Sequence, residues 1–267
     1  MNIKVSVIIP TKNSEETIET CLKSIKNQSS QDIEIIVVDN NSTDKTKQIA
    51  KKYTNLVFNK GPERSAQRNF GAKVAKGTYL LFIDSDMKLM KDVVKECIEK
   101  INGHKALVIP EESFGVGFWA KCKALERSFY LGVDWIEAAR FFDEKIFRQF
   151  GGYDESQTGT EDYDLPQRIK QKYGDESIGR INSLILHNEG KLSLVRTLSK
   201  KHYYAKTMQK YAKTNKKYFN KQASISNRYK LYFSEPQKLF SNPIVGAGML
   251  FMKTAEFAAG GLGYLGL

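Results

Sequence analysis

Hydrophobic residues in the first third of the chain form short β-branched runs that alternate with segments of helical spacing. The runs occupy residues 5–9, 33–38, 56–58 and 79–83. The helical segments occupy residues 15–26, the stretch after Ser42, and residues 67–76. Short apolar runs closed by polar residues suit strands that are buried on both faces. Their regular alternation with helices predicts a parallel α/β sheet.

The pattern is looser after residue 105. We expect further strands at residues 106–109 and 183–186, and helices at residues 118–130, 145–150 and 161–173. Residues 191–230 then hold twelve Lys or Arg and no Asp or Glu, which equals the net charge of +12 of the whole chain. The remaining residues are therefore neutral overall. This distribution predicts one folded domain over residues 1–190 and a basic docking region over residues 191–267.

Polar clusters follow three of the predicted strands. They are Pro10-Thr11-Lys12-Asn13, Asp39-Asn40-Asn41-Ser42 and Asp84-Ser85-Asp86. Ligands of open α/β sheets bind beyond the carboxyl ends of the strands, so the three clusters are candidates for a single site. The glycine patterns of dinucleotide-binding folds and of P-loops are both missing after the first strand, which argues against these two classes.

The pair Asp84-x-Asp86 lies where a buried strand ends, and its hard oxygen ligands suit Mg²⁺ or Mn²⁺. His187 ends another apolar strand and is a candidate third metal ligand. By itself, however, an Asp-x-Asp pair is more often part of a surface loop than a metal site. A single histidine is also more often structural than ligating.

Glu161 and Asp162 begin a predicted helix after a flexible Gly/Thr stretch. Acids at a helix N-terminus are favoured by the helix dipole, so this pair is consistent with simple capping. The functional alternative is that Asp162 accepts a proton from a hydroxyl group, which requires only hydrogen-bond reach.

Taken in order, the blocks of this sequence resemble family 2 glycosyltransferases with a GT-A fold, over roughly residues 3–190. The membrane-associated group that resembles dolichyl-phosphate-sugar synthases is the nearest in type. The blocks are VSVIIPTKN from Val5, VVDNNSTD from Val37, QRNFG from Gln67, AKGTY from Ala75, FIDSD from Phe82, GGYDE from Gly151 and TEDYDL from Thr160, with Arg168. The resemblance implies an α/β fold with a Rossmann-like mixed sheet flanked by helices, followed here by C-terminal amphipathic helices.

The resemblance also implies roles for individual residues. The nucleoside-diphosphate sugar, linked to UDP or GDP, would be bound by Pro10, Thr11, Asn13, Asp39, Arg68, Asp84 and Ser85. Asp84, Asp86 and His187 would hold Mn²⁺ or Mg²⁺. Asp162, together with Glu161, would be catalytic, with Asp162 as the base of a single displacement that inverts the anomeric centre. Residues 1–190 would then form the catalytic domain.

Two other functions remain open at this stage. One is a nucleotidyltransferase, which also combines an α/β sheet with carboxylates and Mg²⁺ but releases pyrophosphate. The other is a non-catalytic, membrane-associated module that keeps the GT-A fold.

Apolar residues between Leu194 and Phe219 recur at helical spacing among lysines and tyrosines, as in basic amphipathic helices at anionic membranes. A helix packed on the domain with a solvated lysine face is the alternative. Nucleic acid is not an expected partner, because the chain offers no recognition module. We expect a peripheral protein on the cytoplasmic side of a membrane that acts on a lipid-linked acceptor. Trp135 and Arg140 would form part of the site that binds this acceptor. The three widely spaced cysteines fit a reducing compartment.

Residues 243–267 are apolar and rich in glycine, with Lys253 and Glu256 as their only charges. The two charges and the six glycines disfavour one continuous membrane-spanning helix. We expect shallow insertion or docking at the interface, with Lys253 and Glu256 paired on one helical face.

Overall fold

A computed structural model describes residues 4–157, 159–206 and 208–267. Within these residues the strands are β1 (Val5–Thr11), β2 (Ile33–Asp39), β3 (Val57–Asn59), β4 (Tyr79–Phe82), β5 (Met87–Leu89), β6 (Ala106–Val108), β7 (Glu111–Val116), β8 (Ala139–Asp143), β9 (Ile178–Arg180) and β10 (Ile185–Lys191). The helices are α1 (Ile18–Lys26), α2 (Thr46–Ala50), α3 (Arg64–Val74), α4 (Val93–Lys100), α5 (Phe118–Ser128), α6 (Glu144–Gln149), α7 (Glu161–Tyr173), α8 (Leu194–Ala205), α9 (Met208–Thr214), α10 (Lys216–Ala223), α11 (Ile225–Phe233), α12 (Pro236–Leu239) and α13 (Pro243–Leu265).

The described residues divide into two compact units. The first consists of the residues up to Pro110, Ala138–Glu155 and Glu161–His187, and the second of Glu111–Glu137, Ser156–Thr160 and Asn188–Leu267. The sequence pattern places a division at residue 190, close to the last of these boundaries. It does not anticipate that two segments from the middle of the chain belong to the same unit as the C-terminal region.

The first unit is built on a seven-stranded sheet in the order β3-β2-β1-β4-β8-β6-β9. Strands β3, β2, β1 and β4 are parallel, as the alternating pattern predicts. Strand β8 runs antiparallel to β4 and β6, so the sheet is mixed, as the resemblance implies. The pattern did not predict β8. In the same unit β5 pairs antiparallel with the start of β10, where His187 lies opposite Met87.

Both faces of the sheet are covered by apolar packing. Val5, Val7 and Ile9 point into one hydrophobic cluster, while Ile8 points into the other. Because successive side chains of a strand alternate between faces, a strand covered on both sides needs an unbroken apolar run. The β-branched composition of β1 therefore follows from its central position. The apolar packing on both faces of the sheet holds the polar ends of the strands in place.

The second unit contains β7 and helices α5 and α8–α13. The segment from Leu194 to Phe219, where apolar residues recur at helical spacing, lies in three helices, α8, α9 and α10, rather than in one. The apolar C-terminus forms one helix of 23 residues, although its glycines were expected to weaken it. The reason is close packing: a Cβ atom at Gly246 would lie 2.3 Å from the carbonyl oxygen of Leu239, and one at Gly263 would lie 2.2 Å from that of His202. Within the part of the chain that the structure describes, every helix is too short or too polar to cross a bilayer.

Candidate active site

The polar ends of the first strands are tied together by the side chain of Gln67. Its amide nitrogen donates to the carbonyl oxygens of Thr11, at 3.0 Å, and Val38, at 2.6 Å. The backbone N–H of Asn40 also donates to the Thr11 carbonyl, at 2.9 Å. The ends of β1 and β2 are thus held in register. The sequence analysis gave Gln67 no role, although it belongs to the QRN block that carries the resemblance.

Asp39 and Asn13 shape the loops that follow these strands. The buried carboxylate of Asp39 accepts hydrogen bonds from the backbone N–H of Ser42, at 2.7 Å, and from its hydroxyl. The Ser42 hydroxyl accepts from the N–H of Asn13, and the Asn13 side chain accepts from the N–H of Thr43, at 2.9 Å. Both residues therefore stabilise the loops directly. Their predicted contacts with a nucleotide stay predictions.

Pro10 and Thr11 end β1 in the buried interior. The hydroxyl oxygen of Thr11 is buried and has no hydrogen-bond partner among the described residues. A buried polar atom without a partner costs free energy, so one at the sheet edge fits a ligand that supplies the missing bond. In the loop after β1, the Ser14 hydroxyl accepts a hydrogen bond of 2.9 Å from the Ser85 hydroxyl. This bond joins the loops after β1 and β4.

Arg68, on α3, is the centre of the site. Its side chain is 0% exposed. One terminal nitrogen, Nη1, donates to Oδ1 of Asp162 at 2.6 Å, and the other, Nη2, donates to Oδ1 of Asp84 at 2.8 Å. Nη1 also lies 3.5 Å from Oε1 of Glu161. One guanidinium thus joins the predicted catalytic acid to the predicted Asp-x-Asp motif. Arg68 and Asp162 are 94 residues apart in the sequence.

Tyr153 and Arg140 complete the surroundings of this guanidinium. The Arg68 guanidinium lies 5.5 Å from the centre of the buried Tyr153 ring. Arg140 extends from β8, and its Nη1 lies 3.8 Å from Oδ2 of Asp84. Arg140 was predicted only as an acceptor contact, so its position beside Asp84 was missed. The Gly151-Gly152-Tyr153 turn gave the sole sequence signal for Tyr153.

Charge and burial act in opposite directions on these groups. Burial raises the pKa of Asp84, but the Arg68 and Arg140 guanidinium groups outweigh it and hold that pKa well below its usual range. Burial lowers the pKa of Arg68, but Asp162 and Asp84 raise it further above its usual value. Burial, followed by the charge of Asp162, raises the pKa of Glu161. Glu161 is 1% exposed, so it lies behind Asp162 rather than at the surface of the site.

The predicted metal trio is only partly assembled. Nε2 of His187 lies 3.4 Å from Oδ2 of Asp86, whereas Asp84 is bound by two arginines. Among the residues described, no three His, Cys, Asp or Glu side chains form a metal-binding group. Asp86 and His187 nevertheless fit a divalent cation, because Oδ1 of Asp86 is buried without a hydrogen-bond partner. Mg²⁺ is often bound by one or two carboxylates together with substrate phosphates.

Trp135 lies in the second unit, where its carbonyl oxygen accepts a hydrogen bond from Gln222 at 2.9 Å. Its ring stacks beneath the Arg228 guanidinium, 5.0 Å from the ring centre. These contacts give Trp135 a packing role within its own unit. Its predicted contact with an acceptor stays a prediction.

Residues 6–153 match the sequence model of a family described as glycosyl transferase family 2. This match covers more than half of the chain. The chain belongs to this family.

Curated members of the family resemble the chain over part of its length. A poly(ribitol-phosphate) beta-glucosyltransferase from Bacillus spizizenii is 45% identical over 94 residues, which are 32% of this chain and 15% of the relative. A GalNAc(5)-diNAcBac-PP-undecaprenol beta-1,3-glucosyltransferase from Campylobacter jejuni is 35% identical over 109 residues, which are 37% of this chain and 35% of the relative. The matched region thus spans a minor part of both relatives.

Solved structures from the family share the fold. TarS 1–349 from Staphylococcus aureus has a TM-score of 0.53 at 18% identity, covering 98% of this chain and 90% of that one. The mannosyltransferase PcManGT from Pyrobaculum calidifontis, solved with GDP-Man and Mn²⁺, has a TM-score of 0.65 at 15% identity, covering 98% and 87%. The GT-A fold implied by the sequence blocks is therefore confirmed.

Proposed function

We propose that the chain transfers a sugar from a nucleoside-diphosphate sugar to a hydroxyl or phosphate acceptor, with inversion at the anomeric carbon. Membership of the family supports the reaction class. The observation that carries the proposal is the Arg68 guanidinium, which joins Asp162 and Asp84 through bonds of 2.6 Å and 2.8 Å. It brings a candidate base and a candidate diphosphate region into one site.

Asp162 is the proposed base. Oδ1 is fixed by Arg68, while the side chain is 29% exposed and therefore within reach of an acceptor. An acceptor hydroxyl gives its proton to this carboxylate as its oxygen attacks the anomeric carbon. The bond from that carbon to the diphosphate oxygen breaks on the opposite face, so the configuration inverts. A carboxylate held by one oxygen is oriented and still free to accept through the other.

Asp86 and His187 are the residues that would hold Mn²⁺ or Mg²⁺. Such a cation, when bound, stabilises the charge that develops on the leaving diphosphate. Arg68 and Arg140 add two positive charges beside Asp84, which itself carries one negative charge. Guanidinium groups bind phosphate oxygens well, so this pair of arginines suits a diphosphate at this end of the site.

A lipid-linked acceptor at the cytoplasmic face of a membrane fits the rest of the chain. The Campylobacter relative is named for an undecaprenol-linked substrate, and the basic stretch of residues 191–230 suits an anionic surface. UDP-sugars and GDP-sugars are both donors to test, because TarS, solved with UDP-GlcNAc, and PcManGT, solved with GDP-Man, share only the fold with this chain.

Product analysis tests the proposal. Purified protein is incubated with UDP- and GDP-sugars, Mn²⁺ and polyprenyl-phosphate or polyprenyl-diphosphate sugar acceptors. We expect release of a nucleoside diphosphate, and a loss of about 100-fold or more in the Asp86→Ala variant. The exposed Asp175→Ala variant is the matched control. Pyrophosphate release from a nucleoside triphosphate, or full turnover by Asp86→Ala, contradicts the proposal.

A further inference from the structure

Helix α13 has an unusual distribution of polar and apolar side chains. Its only charged residues, Lys253 and Glu256, are buried. Ile244, Phe251 and Leu265 are instead 73%, 60% and 70% exposed. A surface helix of a globular protein normally turns its apolar side inward and its charges toward water. Helix α13 buries Met249 and Met252 in the normal way, but it also buries both of its charges and leaves these three large apolar side chains exposed.

The inward charges are matched by helix α5. Nζ of Lys253 lies 2.6 Å from Oε1 of Glu126 and 3.0 Å from Oε2 of Glu256. Nζ of Lys123 lies 2.5 Å from Oε2 of Glu126 and 2.5 Å from Oε1 of Glu256. We call these four residues the charge cluster. Two ammonium groups and two carboxylates neutralise each other, and these pairs add to the apolar contacts of the buried Met249 and Met252 in holding α13 in this orientation.

The exposed side of α13 forms a stripe that is apolar except at Thr254. Exposed residues follow one another at intervals of three and four, which is one face of a helix. The members are Ile244, Ala247, Phe251, Thr254, Ala258, Leu262 and Leu265. A helix of 23 residues is about 34 Å long, so the stripe is far larger than a scattered exposed side chain. We call it the outer stripe.

Two helices that contact the C-terminal end of α13 carry exposed lysines. Tyr264 of α13 stacks on Phe219 of α10, with ring centres 5.9 Å apart, and its carbonyl accepts from Gln209 of α9 at 2.9 Å. These two helices carry the exposed residues Lys213, Lys216 and Lys217. The neighbourhood of the stripe is therefore apolar and basic at once.

We propose that the outer stripe of α13 inserts into the interface of an anionic lipid bilayer, with Lys213, Lys216 and Lys217 at the headgroups. We choose an anionic bilayer as the partner of the stripe because its charge is opposite to that of the basic residues 191–230. Residues 191–230 carry no acidic side chain, so two copies joined through the stripe would bring like charges together. An anionic bilayer offers an apolar layer and opposite charge in the same arrangement. The inference rests on the proposed function only in one respect, namely that the acceptor lies in the membrane into which the stripe inserts.

Vesicle co-sedimentation of the full chain tests the insertion. Vesicles of phosphatidylcholine are compared with vesicles that contain about 30% phosphatidylglycerol. We expect binding to the anionic vesicles, and a loss of about tenfold or more for the triple variant Phe251→Gln, Leu262→Gln, Leu265→Gln. Because these three positions are exposed, the variant keeps its fold. The control carries Met90→Gln and Tyr173→Gln, which are exposed apolar positions of the first unit.

A second variant tests the headgroup contacts. Lys213, Lys216 and Lys217 are replaced by Gln, and the control replaces the exposed Lys26, Lys51 and Lys95 of the first unit. We expect weaker binding to anionic vesicles in the first case alone, and weaker binding of the wild type as salt rises from about 0.1 M to about 0.5 M. Unchanged binding by the lysine variant overturns the headgroup assignment.

Three results overturn the insertion itself. They are no wild-type binding to anionic vesicles, equal binding by the stripe variant, and a wild-type dimer in light scattering that the stripe variant alone abolishes. The last result assigns the stripe to a second copy. Vesicle binding needs no substrate, whereas nucleotide release is measured in detergent. A protein that binds vesicles without turnover refutes the proposed function only, and one with turnover but no binding refutes this inference only.

Discussion

The guanidinium group of the buried Arg68 is shared by two carboxylates of the site. The resemblance implies that it contacts the nucleotide. In the structure its two terminal nitrogens are bound to Asp162 and Asp84. A sequence pattern reports spacing along the chain, and Asp162 lies 94 residues away. The acids themselves were predictable, because each follows a recognisable strand or begins a helix, but the cation that joins them was not.

Replacing Arg68 by Ala leaves Asp84, Asp162 and Glu161 without their shared cation. We expect a loss of about 3–5 kcal/mol in the free energy of unfolding at neutral pH, as for other broken buried ion pairs. The control, Arg64→Ala, removes a side chain 36% exposed and 4.0 Å from Glu161 and costs less than about 1 kcal/mol. Urea denaturation measures both.

The pH dependence of this loss has a definite sign. The folded-state pKa of Asp84 lies below its unfolded value, so its contribution is present above the unfolded pKa, near 3.9, and is lost as the pH falls below it. The difference between wild type and Arg68→Ala should therefore shrink as the pH falls below about 4. A difference that is constant with pH contradicts the assigned pairing.

At the scale of elements, helix α13 and strand β8 were the least predictable. The glycines of α13 were expected to weaken the helix, but Gly246 and Gly263 allow neighbouring backbone to approach. Strand β8 is short and contains the charged Arg140 and Asp143, so it lacks the apolar run that revealed β1. Its place depends on pairing with β4 and β6, which are distant in sequence. The pairing of Lys253 with Glu256 was predicted from helical spacing and is confirmed at 3.0 Å.

The charge cluster predicts a non-additive response to substitution. Lys253→Met removes one of the two ammonium groups that form ion pairs with Glu126 and Glu256, and we expect a loss of about 3–5 kcal/mol in the free energy of unfolding. The quadruple variant Lys123→Met, Glu126→Leu, Lys253→Met, Glu256→Leu removes all four charges and should lose less than the single variant. Denaturant unfolding of both variants tests this. Additive losses, with the quadruple variant the least stable, contradict the pairing.

For the whole molecule, sequence predicted the first unit better than the second unit. Four parallel strands and the clusters at their ends followed from alternating apolar runs, which depend on local pattern alone. The composition of the second unit depends on contacts between residues 111–137 and the C-terminal region, such as Lys123 with Glu256. The periodicity of neither segment indicates such pairing. The membrane-associating role of residues 191–267 stays a prediction.

Asp162 is the proposed base of the glycosyl transfer. Single-turnover measurements with nucleotide sugar and acceptor compare Asp162→Asn with the exposed control Asp175→Asn. We expect the rate constant to fall by about 10²–10⁴-fold in Asp162→Asn, with nucleotide affinity by calorimetry unchanged, and no effect of the control. Wild-type rates in Asp162→Asn with normal nucleotide binding would contradict this role.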